Sequence, residues 1–111
     1  MMRYKKNLGD NGEEFAARML TDAGYEILER NFTAKCGEID IIAYKDGVLH
    51  FVEVKTRTGT DYGFPAEAVT ENKISKIRRT AESYINTRKS RWRSVSFDVF
   101  EVYANLLIDC M

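Results

Sequence analysis

Histidine, cysteine and proline are all scarce in this chain of 111 residues, and the first two scarcities exclude classes of site. His50 is the one histidine, so a histidine-rich zinc site is excluded. Cys36 and Cys110 are far apart and match no metal-ligand spacing, so we expect reduced thiols in a cytoplasmic protein. No signal-peptide pattern and no apolar run of about eighteen residues is present, so we expect no membrane partner.

Net charge is also missing, because 17 basic residues balance 17 acidic ones. The zero total conceals a segregation along the chain. Residues 73–93 hold eight basic residues and one acidic residue, whereas residues 9–72 hold six basic and thirteen acidic ones. A basic stripe beside an acidic pocket suits a polyanion that is first approached and then attacked. The apolar fraction of 44% is ordinary for a globular protein, and we expect one domain over residues 1–111.

Residues 38–55 are the most informative stretch, because two runs rich in β-branched and aromatic residues flank Asp46-Gly47. That dipeptide readily adopts the two positive φ angles of a type I′ turn, so the pattern predicts a tight β-hairpin. With those two residues as the loop, Lys45 faces Val48 and Asp40 faces Glu53.

Strand alternation then assigns the side chains to two faces. One face is apolar and forms the core: Ile39, Ile41, Ala43, His50, Val52 and Val54. Because His50 points into this face, Ser-His-Asp and Cys-His catalysis are excluded unless it moves. The other face is apolar only near the turn: Glu38, Asp40, Ile42, Phe51, Glu53 and Lys55.

Facing carboxylates on one sheet face repel each other. Two carboxylates at about 4 Å repel by roughly 1 kcal/mol in water and about 4 kcal/mol at an effective dielectric of 20. The pair of Asp40 and Glu53 therefore needs a shared proton, a nearby ammonium or a divalent cation, or else it is a solvated strand edge. The same register places Glu38 opposite Lys55, which predicts a structural ion pair that competes for the lysine.

Two helices flank the predicted strands. The first spans Gly12 to Ala23 and ends at Gly24; its apolar stripe contains Phe15, Ala16, Met19, Leu20 and Ala23. Glu13 projects from its buried side, as a functional carboxylate or as favourable charge at a helix N-terminus. Glu14 and Arg18 form an i,i+4 ion pair on its solvent face.

The second helix spans Glu71 to Thr87 with Thr70 as N-cap, and its apolar stripe contains Ile74, Ile77, Ala81, Tyr84 and Ile85. Strands are predicted at Tyr25 to Phe32 and at Val95 to Tyr103, with a short edge strand at Leu106 to Ile108. The segment after Lys55 lacks periodicity, and its Tyr62 and Phe64 either pack on the core or stack on bases.

This order of elements, with the motifs it carries, resembles the PD-(D/E)XK nuclease superfamily. More specifically, it is similar to the YraN family of small bacterial proteins and to archaeal Holliday-junction resolvases. The resemblance covers about Gly9 to Val102. It is carried by the segments 12–17 (GEEFAA), 30–32 (RNF), 37–43 (GEIDIIA), 51–57 (FVEVKTR), 63–65 (GFP) and 97–99 (FDV), and by Lys73. The proline that names the superfamily is absent before Asp40.

The resemblance implies an α/β fold with a restriction-endonuclease-like core, in which helices flank a mixed central sheet in the order α-β-β-β-α-β. It implies that Asp40, Glu53 and the Val54 carbonyl ligate Mg²⁺ or Mn²⁺, and that Glu13 joins them directly or through water. Lys55 would lie near the attacking water and the scissile phosphate, where an ammonium stabilises developing negative charge.

The leading hypothesis is a metal-dependent endonuclease that hydrolyses DNA, with branched DNA and a role in repair or recombination as candidates, and with a homodimer as one assembly. Its phosphate-contacting residues are predicted to be Arg57, Lys73, Lys76, Arg79, Arg91 and Arg93. Two alternatives remain open at this point: a nucleic-acid-binding module that does not cut, and a protein-interaction subunit whose carboxylates are structural.

Overall fold

The computed structural model describes residues 2–57, 71–88 and 92–103, and for residues 2–10 and Arg57 it describes the backbone alone. Its elements are α1 (Met2–Asp22), β1 (Glu26–Ala34), β2 (Gly37–Lys45), β3 (Val48–Arg57), α2 (Glu71–Asn86) and β4 (Ser94–Tyr103). The expected α/β fold and element order are confirmed. The predictions for Thr70, Tyr62, Phe64, Arg91, Cys110 and Leu106 to Ile108 lie outside the described residues.

The four strands form one mixed sheet in the order β1-β2-β3-β4. The first three strands are antiparallel neighbours, and β4 runs parallel to β3. A parallel neighbour needs a crossover connection, and α2 lies in that connection. The mixed sheet with flanking helices therefore follows the prediction.

The turn between β2 and β3 has the predicted geometry. Asp46 and Gly47 have φ values of 50° and 84°, as the two central positions of a type I′ turn require. Lys45 pairs with Val48, and the register continues to Ile41 and Val52. The predicted hairpin register is confirmed over this length.

Both faces of the hairpin are covered, each by one helix. Ala16 and Ala17 of α1 pack with Ile41, Ala43 and Val52. On the opposite face, Ala81 and Tyr84 of α2 pack with a second cluster of buried side chains, which contains Ile39, Ile42, Leu49 and Phe51. The sheet is therefore the central layer of three.

One predicted face assignment is wrong. Alternation placed Ile39 with Ile41, but Ile39 packs with Ile42 on the α2 side. Counted from the turn, the β2–β3 pairing ends at Ile41 and Val52. The strict alternation of side chains along β2 therefore stops before it reaches Asp40. For the same reason the predicted pairing of Asp40 with Glu53 across the strands is not formed. Glu38 and Lys55 are not paired either, so the predicted basis for their ion pair is absent.

Helix α1 ends as predicted, but it begins before the residues that carry its apolar pattern. Gly24 has a φ of 96°, and the N–H groups of Gly24 and Tyr25 donate to the carbonyls of Thr21 and Leu20. The predicted stripe is partly wrong, because Met19 is 47% exposed. In the part of the chain that is described, no helix has the length and apolar character needed to cross a membrane.

Close contacts at two glycines set the helices against the sheet. A Cβ at Gly12 of α1 would collide with Oγ1 of Thr56 on β3, and a Cβ at Gly37 would lie 3.3 Å from Oγ1 of Thr80 on α2. Thr80 is fully buried, and its hydroxyl donates to the Lys76 carbonyl at 2.8 Å. These contacts bring Glu13 near the end of β3, and they bring one face of α2 over the start of β2.

Candidate active site

The two predicted carboxylates meet where the β2–β3 ladder stops. The N–H of Val54 donates to Oδ2 of Asp40 at 2.8 Å. If the strand pairing continued, this N–H would donate to a backbone carbonyl instead. Glu53 immediately precedes that N–H and projects, like Phe51 and Lys55, toward the α2 side. The side chain of Asp40 thus replaces a strand-pairing group and brings its charge beside Glu53.

Glu53 is electrostatically the most perturbed of the described carboxyls for which a shift is resolved. Burial in the first place, and the negative charge of Asp40 in the second, raise the pKa of Glu53 from its ordinary value near 4.5 to about 7. The positive charges of Lys55 and Lys73 oppose this rise. The Glu53 carboxyl therefore keeps its proton to a higher pH than an ordinary glutamate does, and a further positive charge nearby would favour its ionised form.

A cavity of about 210 Å³ opens between the sheet and α2 beside Glu53. Three lysines line it: Lys55 from β3, and Lys73 and Lys76 from α2. The positions of the two α2 lysines follow from helical spacing, since residues 73, 76 and 80 share one face and Thr80 is held against Gly37. The site thus places a cationic wall opposite an acidic pair.

Glu13 lies on the sheet-facing side of α1, as predicted, and its Oε1 atom is buried. The close approach of its neighbour Gly12 to Thr56 places it beside the end of β3. Among the described side chains, no three acidic, histidine or cysteine residues form a group that could hold one metal ion. The predicted contribution of Glu13, directly or through water, therefore stays a prediction.

The other basic residues predicted to contact phosphate lie in different places. Arg79 lies with Glu71 and Glu82 around a shallow depression on the outer side of α2. Arg93 lies at the β2–β3 turn, where its Nη2 donates to the Asp46 carbonyl at 2.5 Å and its N–H donates to the Gly47 carbonyl at 2.6 Å. The side chain of Arg57 and all of Arg91 lie outside the description.

The Arg93 position is about 20 Å from the acidic pair, because some six residues of strand separate the turn from Asp40. Its guanidinium donates to the Asp46 carbonyl, and its backbone N–H donates to the Gly47 carbonyl, so the start of β4 is held against the turn. Sequence reasoning counted this residue as part of a basic run, and no local signal distinguishes a turn-binding arginine from a phosphate-binding one.

His50 is engaged on the α1 side of the sheet. Its Nδ1 lies 2.7 Å from Oδ2 of Asp98, and Ser96 donates to the other Asp98 oxygen at 3.0 Å. The Tyr25 ring meets the imidazole edge to face at 5.0 Å. The Ser96 hydroxyl donates to Asp98 rather than to His50, so the arrangement lacks the serine–histidine hydrogen bond that activates the nucleophile of a catalytic triad.

Sequence reasoning missed the apolar wall beside the acidic pair. Phe97 and Val99 of β4 lie next to Phe51 and Glu53 of β3 and remain substantially exposed. The alternating pattern of β4 was visible in the sequence, but it does not reveal that α2 leaves this face uncovered.

The donor atoms at the acidic pair fit a small divalent cation. Carboxylate oxygens are preferred ligands of Mg²⁺ and Mn²⁺, and Mg²⁺ is commonly held by one or two carboxylates and several waters. The raised pKa of Glu53 is the observation that supports the fit, because a cation would stabilise its ionised form and offset the repulsion from Asp40.

Comparison with known proteins gives one family over most of the chain. A family model described as "Uncharacterised protein family UPF0102" matches residues 12–102. A UPF0102 protein of Caldicellulosiruptor saccharolyticus is 46% identical over 102 residues, which cover 92% of this chain and 86% of that protein. A UPF0102 protein of Dictyoglomus thermophilum is 44% identical over 87% of this chain and 82% of its own length. One of Nocardia farcinica is 48% identical over 88% and 77%, respectively.

Proposed function

The chain belongs to the uncharacterised protein family UPF0102, which is the YraN family that its sequence resembles, and on that premise we propose that it is a metal-dependent endonuclease hydrolysing DNA phosphodiester bonds. Branched DNA of the kind found in repair and recombination is the substrate that the resemblance to Holliday-junction resolvases favours. The observation that carries the proposal is the meeting of Asp40 and Glu53 at the end of the strand ladder, with the pKa of Glu53 raised to about 7.

Asp40, Glu53 and the carbonyl of Val54 would hold the cation, with Glu13 as the further predicted ligand. A bound Mg²⁺ or Mn²⁺ supplies an acidified water and neutralises charge on the phosphate. The hydrogen bond from the Val54 N–H orients the Asp40 carboxylate. A side-chain hydrogen bond also joins the carboxyls of Asp40 and Glu53, so the two groups that would hold the cation are in direct contact.

The lysines act on the substrate rather than on the cation. Lys55 projects from β3 next to Glu53, where its ammonium stabilises the negative charge that grows on the attacked phosphate. Lys73 and Lys76 line the same cavity from α2 and would contact the flanking phosphates. The cavity therefore joins a cation site and a phosphate site over a short distance.

The proposal is tested by nicking of supercoiled plasmid and of a synthetic four-way junction in Mn²⁺, with and without EDTA. We expect cleavage by the wild type and a loss of at least about 100-fold in Asp40→Asn and Glu53→Gln, because each removes a carboxylate from the site. Glu82→Gln, an exposed change on α2, is the matched control and should cleave like the wild type. Cleavage that survives Glu53→Gln contradicts the assignment.

One observation favours a second candidate, a module that binds nucleic acid without cutting it. Among the described residues the acidic pair has no third carboxylate, histidine or cysteine close enough to complete a metal cluster. Such a module would bind DNA with the same affinity in Mn²⁺ and in EDTA, would lose affinity steeply with salt and would leave the plasmid intact.

A further inference from the structure

Strand β4 presents an apolar face that the described part of the chain leaves uncovered. On this face Val95, Phe97 and Val99 are 37, 47 and 52% exposed. Helix α2 packs chiefly on β2 and β1. On this sheet face it therefore covers the part formed by β1 and β2 and does not extend over β4. Large apolar side chains exposed together in this way mark a surface that contacts something else.

Phe97 and Val99 form one wall of a groove that ends at Glu53. The groove has a volume of about 280 Å³, and its apolar lining includes Ile39, Phe51, Ile74 and Ile77. Val99 is the strand neighbour of Glu53, and Phe97 is the neighbour of Phe51. The Cα atoms of Phe97 and Glu53 are therefore about 8 Å apart, from strand spacing and rise.

The ring of Phe97 is held in place on one side and partly exposed. Its ring stacks on Phe51 with a centroid distance of 5.5 Å and an interplanar angle of 23°, and about half of the residue is exposed. Because Phe51 is buried and fixes one side of the ring, the other side offers a flat apolar surface at little conformational cost. Such a surface suits a planar ring rather than a flexible aliphatic chain.

The charged residues at the groove indicate which class of ligand would supply the planar ring. Arg78 lines the groove beside Ile74, and Lys73 acts on Glu53 at the neighbouring cavity. A ligand with both a flat apolar ring and adjacent negative charge is complementary to this surface, and a nucleotide has both. In a base-paired duplex, however, both faces of each base are covered by stacking neighbours, so only an unpaired nucleotide offers a face to Phe97.

We infer that the groove binds an unpaired nucleobase stacked on Phe97, next to a phosphate that Lys73 contacts beside the cation site. The inference rests on the proposed function and narrows its substrate class to DNA with an unstacked nucleotide beside the scissile bond, as at a gap, a flap or a junction. The geometry thereby gives the site a means of preferring interrupted DNA to continuous duplex without reading its sequence.

The test compares two fluorescein-labelled DNAs, a continuous duplex and the same duplex with a short single-stranded gap. Their affinities are measured by anisotropy in Ca²⁺, with integrity checked on a gel. We expect the wild type to bind the gapped DNA more tightly, and Phe97→Ala to lose about 10-fold in affinity for the gapped DNA and little for the duplex. Phe97→Trp should keep the preference, because it keeps an aromatic face.

Val95→Ala is the matched control, since it removes an exposed apolar side chain from the same strand face farther from Glu53 and should change neither affinity. An unchanged preference in Phe97→Ala overturns the inference and leaves the proposed function standing. A wild type that sediments as a dimer, with Phe97→Ala a monomer, also overturns it, because the groove is then a contact between copies. Absence of binding to either DNA overturns the proposed function itself.

Discussion

At the scale of single residues, Glu53 is the group on which the chemistry depends. Its carboxyl is half-buried beside Asp40 and near two lysines, and the balance of these effects raises its pKa to about 7. A carboxyl in that state is a weaker acid than usual, so the folded chain gives up stability when it ionises. A cation at the same place would reverse the balance, which is why the stability of the metal-free protein reports on the site.

Glu53→Gln is therefore expected to stabilise the metal-free protein at high pH alone. Because the folded pKa lies above the ordinary value near 4.5, the wild type has its full stability below about pH 4.5 and loses stability as the pH rises through 7. The variant cannot ionise, so in EDTA it should exceed the wild type by about 1–3 kcal/mol at pH 8.5 and by little at pH 5. Urea unfolding at both pH values measures this difference. Parallel pH profiles for the two proteins would show that Glu53 is not perturbed.

At the scale of elements, the β2–β3 hairpin shows what local pattern can and cannot predict. The Asp46-Gly47 turn and the register as far as Ile41 follow from residue type and period, because backbone strain and alternation are local effects. The interruption at Asp40 is not local. There a side-chain oxygen of Asp40 accepts the Val54 N–H, fourteen residues away, and Ile39 packs on the face opposite to the predicted one.

The contact of Arg93 with the β2–β3 turn gives a prediction at the scale of elements. Arg93→Ala removes the donor to the Asp46 carbonyl and should lower the free energy of unfolding by about 1 kcal/mol, with no change in DNA affinity. Arg79→Ala, on the outer side of α2, should leave stability unchanged and serves as the control. Chemical unfolding and filter binding on the same samples measure both quantities. A tenfold loss of DNA affinity in Arg93→Ala would place the turn in the nucleic-acid interface.

Packing of α1 on β3 is tested by a double-mutant cycle at Gly12 and Thr56. Alanine at a helix position normally stabilises by about 1 kcal/mol over glycine. In the wild type the new Cβ would collide with the Thr56 hydroxyl, so we expect Gly12→Ala to lose that gain and to destabilise. In a Thr56→Ala background the same change should stabilise. Equal effects in the two backgrounds would show that the helix does not approach the strand this closely.

At the scale of the whole molecule, the charge segregation in the sequence becomes a spatial arrangement. The acidic pair comes from the hairpin, and the lysines opposite it come from α2 and β3. Composition predicted a basic part and an acidic part of the chain. Of the α2 residues predicted to contact phosphate, only Lys73 and Lys76 line the cavity beside Glu53, because the helical phase turns Arg79 outward. Which cations meet the acids was therefore decided by packing, through the fixed contact of Thr80 with Gly37.

The two α2 lysines should dominate salt-dependent DNA binding. Each phosphate contact contributes about 0.9 to the slope of log affinity against log salt. Lys73→Ala and Lys76→Ala should each reduce the slope by roughly 1. Titrations over a range of NaCl concentrations measure the slope, with Arg79→Ala as the reference variant. A larger loss of slope in Arg79→Ala would move the interface to the outer side of α2.

The central claim is that Asp40 and Glu53 together bind one divalent cation, and calorimetric titration with Mn²⁺ at pH 7 tests it most directly. Because the pKa of Glu53 is raised and the cation requires the ionised form, binding should release protons at pH 7 and fewer at pH 8.5. Proton release is obtained by repeating the titration in buffers of different ionisation enthalpy. We expect one site in the wild type and in Glu82→Gln, and no binding in Asp40→Asn or Glu53→Gln. Binding that persists in both of those variants, or that releases no proton at pH 7, would contradict the account.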